Sequence, residues 1–297
     1  MPEMPEVQGL VDFLRTKLIP SDSPPAVIRD VEVLSFAVLK TAGVPLDALH
    51  GAAVTAVDRR GKFIVLTAGE VHLVMHLAKA GWLRWSDALK PGRLRPGKGA
   101  MALRVRFAAA AGDDGGKEPG FDLTEAGTKK SLAVYLVRSL DEVPGLARLG
   151  PEALDVGFDA FADLLAAHHG QIKGLLRDQS VIAGIGNAYS DEILHAARLS
   201  PFATAAKLDA DQAGQLFVAM RTTLEAAIEG ASGRPASELK DSKRQALQVH
   251  ARTGQPCPVC GDTVREVSFA DSSLQYCPTC QTGGKILADR RMSRLDK

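Results

Sequence analysis

The chain of 297 residues is poor in cysteine, in aromatic side chains and in net charge. Aromatic residues make up 5% of it, and 36 lysines and arginines against 35 acidic residues leave a net charge of +1. The molecule as a whole is no polycation, so a polyanion would have to be met by local basic clusters. From Ser237 onward there are ten Lys/Arg against seven Asp/Glu, a modest excess that a solvated surface explains equally well. No apolar run approaches the roughly 18 residues that cross a bilayer, and Met1 to Lys17 is too acidic and too interrupted for a signal peptide. A cytoplasmic chain with no membrane partner is expected. No internal repeat is evident.

Cysteine is absent until residue 257 and then occurs as Cys257-x2-Cys260 and Cys277-x2-Cys280, with sixteen residues between the pairs. Two CxxC knuckles joined by a stretch long enough for a β-hairpin predict one tetrahedral zinc site, holding together a segment too small to bury a core of its own. A pair of disulfides or a redox CxxC are the alternatives; no βαβ pattern surrounds either pair and nothing at the amino terminus directs secretion. Zinc ribbons serve nucleic-acid binding, protein contacts and plain architecture alike.

What is present is a globular composition, 45% hydrophobic and 24% charged, at a length expected to form about two domains. After Pro5, the positions of Val7, Leu10, Val11, Leu14 and Leu18 predict an amphipathic helix. Strand signals follow at Val31 to Phe36, Ala53 to Val57, Phe63 to Leu66, Val71 to Leu77, Ala102 to Phe107 and Ser131 to Val137. In the fifth of these, Leu103, Val105 and Phe107 alternate with Arg104 and Arg106. Lys90 to Gly99 and Gly112 to Gly120 read as exposed loops. Past Pro144 the pattern turns helical. Asp209 and Gln212 form a capping box for a helix that Gly230 stops, and Ala231 to Lys243 reads as a linker into the cysteine region.

The fold class expected is α+β: an N-terminal helix plus β-sandwich over residues 1–143, a helical domain over 144–236 and a zinc-ribbon hairpin region over 237–297. Between two helical stretches lies Ile182-Ala183-Gly184-Ile185-Gly186-Asn187-Ala188-Tyr189-Ser190-Asp191-Glu192. Gly184 and Gly186 let the backbone turn sharply, and the amides opening the next helix favour an anion. Helix-turn-helix packing without a ligand fits this segment as well as phosphate binding does.

The run Leu175-Leu176-x-Asp178-Gln179-x-x-x-Ala183-Gly184-Ile185-Gly186-Asn187-x-Tyr189-x-Asp191-Glu192, followed by Pro201, resembles the helix-two-turn-helix of the formamidopyrimidine-DNA glycosylase and endonuclease VIII family. Met1-Pro2-Glu3-Met4-Pro5-Glu6-Val7 is similar to that family's amino terminus, and Leu149-Gly150-Pro151-Glu152 to its interdomain segment. Arg59-Arg60-Gly61-Lys62-Phe63 resembles its lysine-bearing hairpin, and Cys277-Pro278-x-Cys280-Gln281 its zinc hairpin. The landmarks fall in family order.

The resemblance implies a monomeric base excision repair enzyme acting on damaged or abasic DNA, a glycosylase with abasic-site lyase activity. Removal of Met1 would leave Pro2 with a free secondary amine of reference pKa near ~8, a nucleophile toward C1′ of deoxyribose. By the same resemblance Glu3 moves protons at the sugar and Lys62 meets the flanking phosphates. Asn187, Lys173 and His76 correspond to phosphate-contacting positions; the strand pattern also allows His76 to be an interior histidine.

Four features depart from the family. Its members fill the gap left by an everted base with a methionine, an arginine and a phenylalanine. Where the methionine's His-Leu-Gly-Met-Ser-Gly segment would stand, this chain has His76-Leu77-Ala78-Lys79-Ala80-Gly81. The Arg-Arg-Phe-Gly segment is matched by Thr124-Glu125-Ala126-Gly127, whose acidic Glu125 would repel phosphate unless Lys129 or Lys130 pairs with it. Ser272 stands five residues before the third cysteine, where the family has an arginine that Arg265 could replace. The pattern implies retained sugar chemistry with altered lesion recognition, Lys79 contacting phosphate or a single strand; a non-catalytic DNA-binding paralogue is the alternative.

Overall fold

A computed structural model describes all residues except 91, 93, 95–98, 110–117, 128, 270–271 and 289–297. It divides into two compact units, Met1–Arg148 with Ala231–Asp241, and Leu149–Gly230 with Ser242–Lys297.

The first unit opens with helix α1, Met4–Leu18. Glu3 and Glu6 form a reciprocal capping box, and Pro5 sits in the first turn, where its missing N–H leaves no bond unmade. One face of α1, including Val7, Leu10, Leu14 and Leu18, is fully buried on two antiparallel four-stranded sheets. The first sheet runs β2 (Val54–Arg60), β3 (Phe63–Ala68), β4 (Val71–His76) and β8 (Ala133–Val137). The second has the order β1 (Ile28–Val33), β6 (Met101–Phe107), β7 (Gly120–Glu125) and β5 (Gly81–Ser86), which leaves β5 on an edge. One apolar core, from Ile64, Leu66 and Leu73 to Leu103, Phe107 and Phe121, fills the sandwich.

Strands β5 and β7 are not apparent in the sequence because their alternations, Leu83-Arg84-Trp85 and Phe121-Asp122-Leu123, are short. Trp82 and Leu83 are adjacent and both buried, and β7 is covered on both faces. The alternation of β6 is present, but its arginines face protein rather than water. Arg104 forks onto Asp122 at 2.6 and 2.8 Å, and Arg106 reaches Glu32 at 3.0 Å. The loops expected at Lys90 to Gly99 and Gly112 to Gly120 lie largely outside the described residues.

The second unit carries α2 (Phe158–Ala167), α3 (Ile172–Arg177), α4 (Asn187–Ala196) and most of α5 (Ala210–Ala231). Asp209 and Gln212 exchange side-chain to backbone bonds of 2.8 and 3.2 Å ahead of α5, the expected capping box. A hairpin of β9 (Arg265–Ser268) and β10 (Ser273–Tyr276) leads into the short helix α7 (Pro278–Thr282). The segment read as a linker is ordered: Leu239–Ala246 forms helix α6, and residues 231–241 pack into the first unit. Gly9 permits this. A Cβ there would stand 3.0 Å from Leu239 Cδ2 and 3.1 Å from Ala231 Cβ.

Candidate functional site

In the first unit Pro2 and Glu3 stand at the N-terminal end of α1. Pro2 and Glu3 are buried, Glu3 being 1% exposed, and the Glu3 N–H donates to Glu6 Oε2 at 2.8 Å. The hairpin β2–β3 lies along the same helix. Arg15 Nε donates to the Val57 carbonyl at 2.6 Å, and one step toward the hairpin tip Arg59 Nε donates to Gln8 Oε1 at 2.9 Å. The contacts climb toward the helix N-terminus as the strand climbs toward its turn. Gly61, with φ of +54°, makes that turn and presents Lys62, which is 8% exposed. Gln8 and Arg59 thus set the height of the lysine, a role that no motif marks in the sequence.

His76 ends β4 opposite Phe63, with ring centroids 4.6 Å apart. Burial, helped by the charge of Lys62, lowers its pKa from 6.5 to about 4. At neutral pH His76 is an uncharged hydrogen-bonding group, so any contact with phosphate there is not an ion pair.

In the second unit Gly184 adopts φ of +102°, and the turn is stapled by one side chain. Gln179 accepts the Gly184 N–H at 3.0 Å and donates to the Ile185 carbonyl at 2.7 Å. Gly186 caps α4, placing Asn187 at its first residue. Asn187 Nδ2 donates to the Ser273 carbonyl of the ribbon hairpin at 2.8 Å, while its Oδ1 is buried with no partner among the described residues. Lys173 lies beneath this turn. Its ammonium donates to Asp191 at 2.6 Å, Ser190 at 2.8 Å and the Asn187 carbonyl at 3.2 Å, and the residue is 5% exposed. Asp191 also takes His250 Nδ1 at 2.7 Å. Next to it Glu192 accepts the amides of Gln248, Val249 and His250, and burial raises its pKa against those three donors. A buried polar lattice therefore ties the turn to the chain entering the ribbon.

The Sγ atoms of Cys257, Cys260, Cys277 and Cys280 lie within 4.8 Å of one another. The Cys257 to Cys280 separation of 3.9 Å is close to the ~3.8 Å edge of a tetrahedron with four Zn–S bonds, and the Cys260 to Cys277 separation of 3.3 Å is shorter than it. Burial pushes the metal-free Cys277 thiol up to about 11, so a nearby cation is needed for all four to be thiolates. The donor set fits one structural zinc ion. His195, in the last turn of α4, places Nε2 3.3 Å from Cys257 Sγ. Because a metal-bound thiolate carries no proton, the imidazole must be the donor. Gln281 completes the second layer, accepting the Cys277 N–H at 2.9 Å and donating to the Leu199 carbonyl at 2.9 Å.

Family models match in the order of these features. The formamidopyrimidine-DNA glycosylase N-terminal domain covers residues 1–118, the H2TH domain 149–239, and the zinc finger found in FPG and IleRS 254–283. The formamidopyrimidine-DNA glycosylase of Moorella thermoacetica is 35% identical over 283 residues, spanning 90% of this chain and 94% of that protein. The chain belongs to the formamidopyrimidine-DNA glycosylase family. It is thereby a DNA glycosylase homologue of base excision repair. An uncharacterized formamidopyrimidine-DNA glycosylase-like protein of Mycobacterium tuberculosis is 66% identical over 149 residues, which is 50% of this chain and 94% of that protein. In fold the chain is similar to the Lactococcus lactis Fpg solved with abasic-site DNA, at a TM-score of 0.79 and 24% identity over 95% of this chain and 100% of that one. Among the described residues no helix is long and apolar enough to cross a membrane.

Lys79 is exposed on the turn from Leu77 to Gly81, which the Gly81 N–H closes onto the Leu77 carbonyl at 2.9 Å. Ala78, standing where the family has glycine, is held at φ of +51°. Glu125 does not face outward. It is 2% exposed, and its Oε1 accepts the amides of Ser131 and Leu132 at 2.8 and 3.0 Å. Lys130 reaches the Glu125 carbonyl rather than its carboxylate. Glu125 is thus a loop clamp, and the repulsion expected of it is offset by backbone donors. Arg265 does not stand in for the arginine absent at Ser272: it pairs with Tyr276, whereas Ser273 pairs with Ser268, three rungs away or roughly 10 Å along the strand.

Proposed function

We propose that the protein cleaves DNA at abasic sites through a Schiff base on Pro2 and retains base removal on a narrowed set of lesions. The observation that carries this reading is the buried Pro2-Glu3 pair at the head of α1, where the Lys62 hairpin is brought alongside the same helix end. With Met1 removed, the Pro2 amine attacks C1′ of the opened sugar, water leaves, and a C=N⁺ iminium forms. The iminium acidifies C2′–H. Loss of that proton expels the 3′ phosphate, a second elimination expels the 5′ phosphate, and hydrolysis returns the amine. Glu3 is the nearest carboxylate in sequence to move these protons, and the uncharged His76 together with Lys62 suits the hydrogen bonding and charge of the phosphates. Asn187 and the α4 amides, with Gly184 and Gly186 shaping the turn, suit a phosphate contact. The zinc ion holds the ribbon and takes no part in the chemistry.

Eversion of a base from intact duplex leaves a hole, and Lys79 has no flat or apolar head to fill it. The exposed lysine suits phosphate contact instead, which favours abasic or single-stranded substrates. The same absence also favours a second reading, a paralogue that binds damaged DNA without cutting it. Borohydride reduction of the correctly processed, zinc-loaded protein on an abasic oligonucleotide separates the two. Covalent capture that disappears when Met1 is retained, as verified by intact mass, is expected. No capture at all would leave only the binding reading standing.

A further inference from the structure

Both tryptophans of the chain, Trp82 and Trp85, line one cleft of about 580 Å³ in the first unit, with Phe13, Lys17, Arg84, Asp87 and Lys240. The cleft runs along β5, an edge strand of its sheet. Segment 231–241 forms one wall, fastened by the Trp82 indole N–H donating to the Ala236 carbonyl at 3.1 Å. Phe13 and Lys17 lie on the last turns of α1, at the end of the helix opposite Pro2 and Glu3.

The floor is aromatic and the rim is cationic. Lys240 Nζ lies 4.5 Å from the centre of the Trp82 ring, and Lys17 Nζ lies 5.8 Å from that of Trp85. Phe13 meets Trp85 edge-on at 6.0 Å. Three cations stand against a single acid among the lining residues, in a molecule whose overall charge is +1. That acid is already committed: Asp87 accepts the Trp85 indole N–H at 2.8 Å and Lys17 Nζ at 2.9 Å. Arg84 is exposed and, among the described residues, has no carboxylate within salt-bridge distance.

We propose that this cleft binds single-stranded DNA, as a site separate from the catalytic end of α1. The volume lies within the about 300–1,000 Å³ of ordinary ligand clefts, enough for one or two bases. A ring open to solvent and flanked by lysine and arginine is what an unpaired base and its phosphates require: a base stacks against the half-buried Trp85 as the Lys17 ammonium near it moves to phosphate, while the buried Trp82 backs the cleft wall under Lys240. A duplex offers only base edges and phosphates, so it cannot use the aromatic floor. An acidic peptide could use the rim but gains little from ring planes. The proposal does not rest on the Schiff-base reading, since none of these residues touches the reacting sugar in it.

The two tryptophans make the cleft its own reporter. Titration of the full-length, zinc-loaded protein with an unmodified oligothymidylate is expected to quench intrinsic fluorescence to saturation. The quench should weaken as salt rises. The exposed double variant Arg84→Glu, Lys240→Glu should bind at least tenfold more weakly, with a salt slope shallower by about 1.4 for two lost phosphate contacts. Its melting temperature and its borohydride capture on abasic duplex should be unchanged, and Asn187→Ala should still be quenched. No quenching, quenching indifferent to the double variant, or quenching by polyglutamate in place of oligothymidylate would each overturn the proposal.

Discussion

Ala78 shows what a single position costs in this chain. An L-residue in the left-handed region is disfavoured by roughly 1–2 kcal/mol, while glycine there gives back part of the difference through its freer unfolded state. Ala78→Gly is therefore expected to stabilise the protein by about 0.5–1 kcal/mol, read as an increase in the urea midpoint at constant slope. Lys173 offers a sharper test. As the central donor to Asp191, Ser190 and Asn187, its replacement by methionine should cost about 3 kcal/mol, because Asp191 is left buried beside a half-exposed histidine. A lysine that served only to touch phosphate would lose DNA affinity with almost no change in unfolding. His76 carries a pH signature of defined sign. Its folded pKa of about 4 lies below the 6.5 of the unfolded chain, so the unfolded state binds the extra proton. Stability should fall as pH drops from 6.5 toward 4, and His76→Gln should flatten that slope in denaturation curves across the window.

At the scale of elements, the contact between α4 and the ribbon is the one that couples turn to metal. The His195 bond to Cys257 spreads the negative charge of four thiolates onto a helix that begins with Asn187. His195→Phe keeps the ring and removes the donor. It is expected to weaken zinc retention about tenfold in chelator competition, with a cobalt-substituted protein still showing tetrahedral thiolate absorption. Unchanged retention would reduce His195 to a packing residue. The hairpin β2–β3 is governed differently, by Gln8 and Arg59 across its flank. Gln8→Ala should leave stability nearly intact and slow capture of abasic DNA, since the lysine at the tip loses its height and not its charge.

For the molecule as a whole, zinc removal is expected to release one region and spare the other. Among the described residues the ribbon has small apolar clusters, Val249 with Val264 and Val267 with Leu274 and Tyr276, whereas the sandwich has a continuous core of its own. Chelation should therefore abolish hydrogen-exchange protection in β9, β10 and α7 while strands β2 to β4 keep theirs.

Much of this architecture was readable along the chain. Helix α1, strands β3, β4 and β6, the capping box at Asp209 and the four-cysteine cluster all rest on periodicity or spacing, which are local properties. Strands β5 and β7 were not readable, because alternations as short as Leu83-Arg84-Trp85 and Phe121-Asp122-Leu123 do not by themselves mark a strand. Nor was α6, a short polar helix whose apolar Leu239 finds its place against Gly9, far away in sequence. Local order thus determined the metal ligands and most of the elements, whereas the Pro2-Glu3 pair was legible only through the resemblance to a family. Tertiary structure alone decided where charge is spent: Glu125 on backbone amides, Lys173 on Asp191, Arg104 on Asp122. It also decided that two tryptophans and three cations from separate segments share one cleft. Partners are chosen by proximity in space, and the spacing of residues along a chain does not encode it.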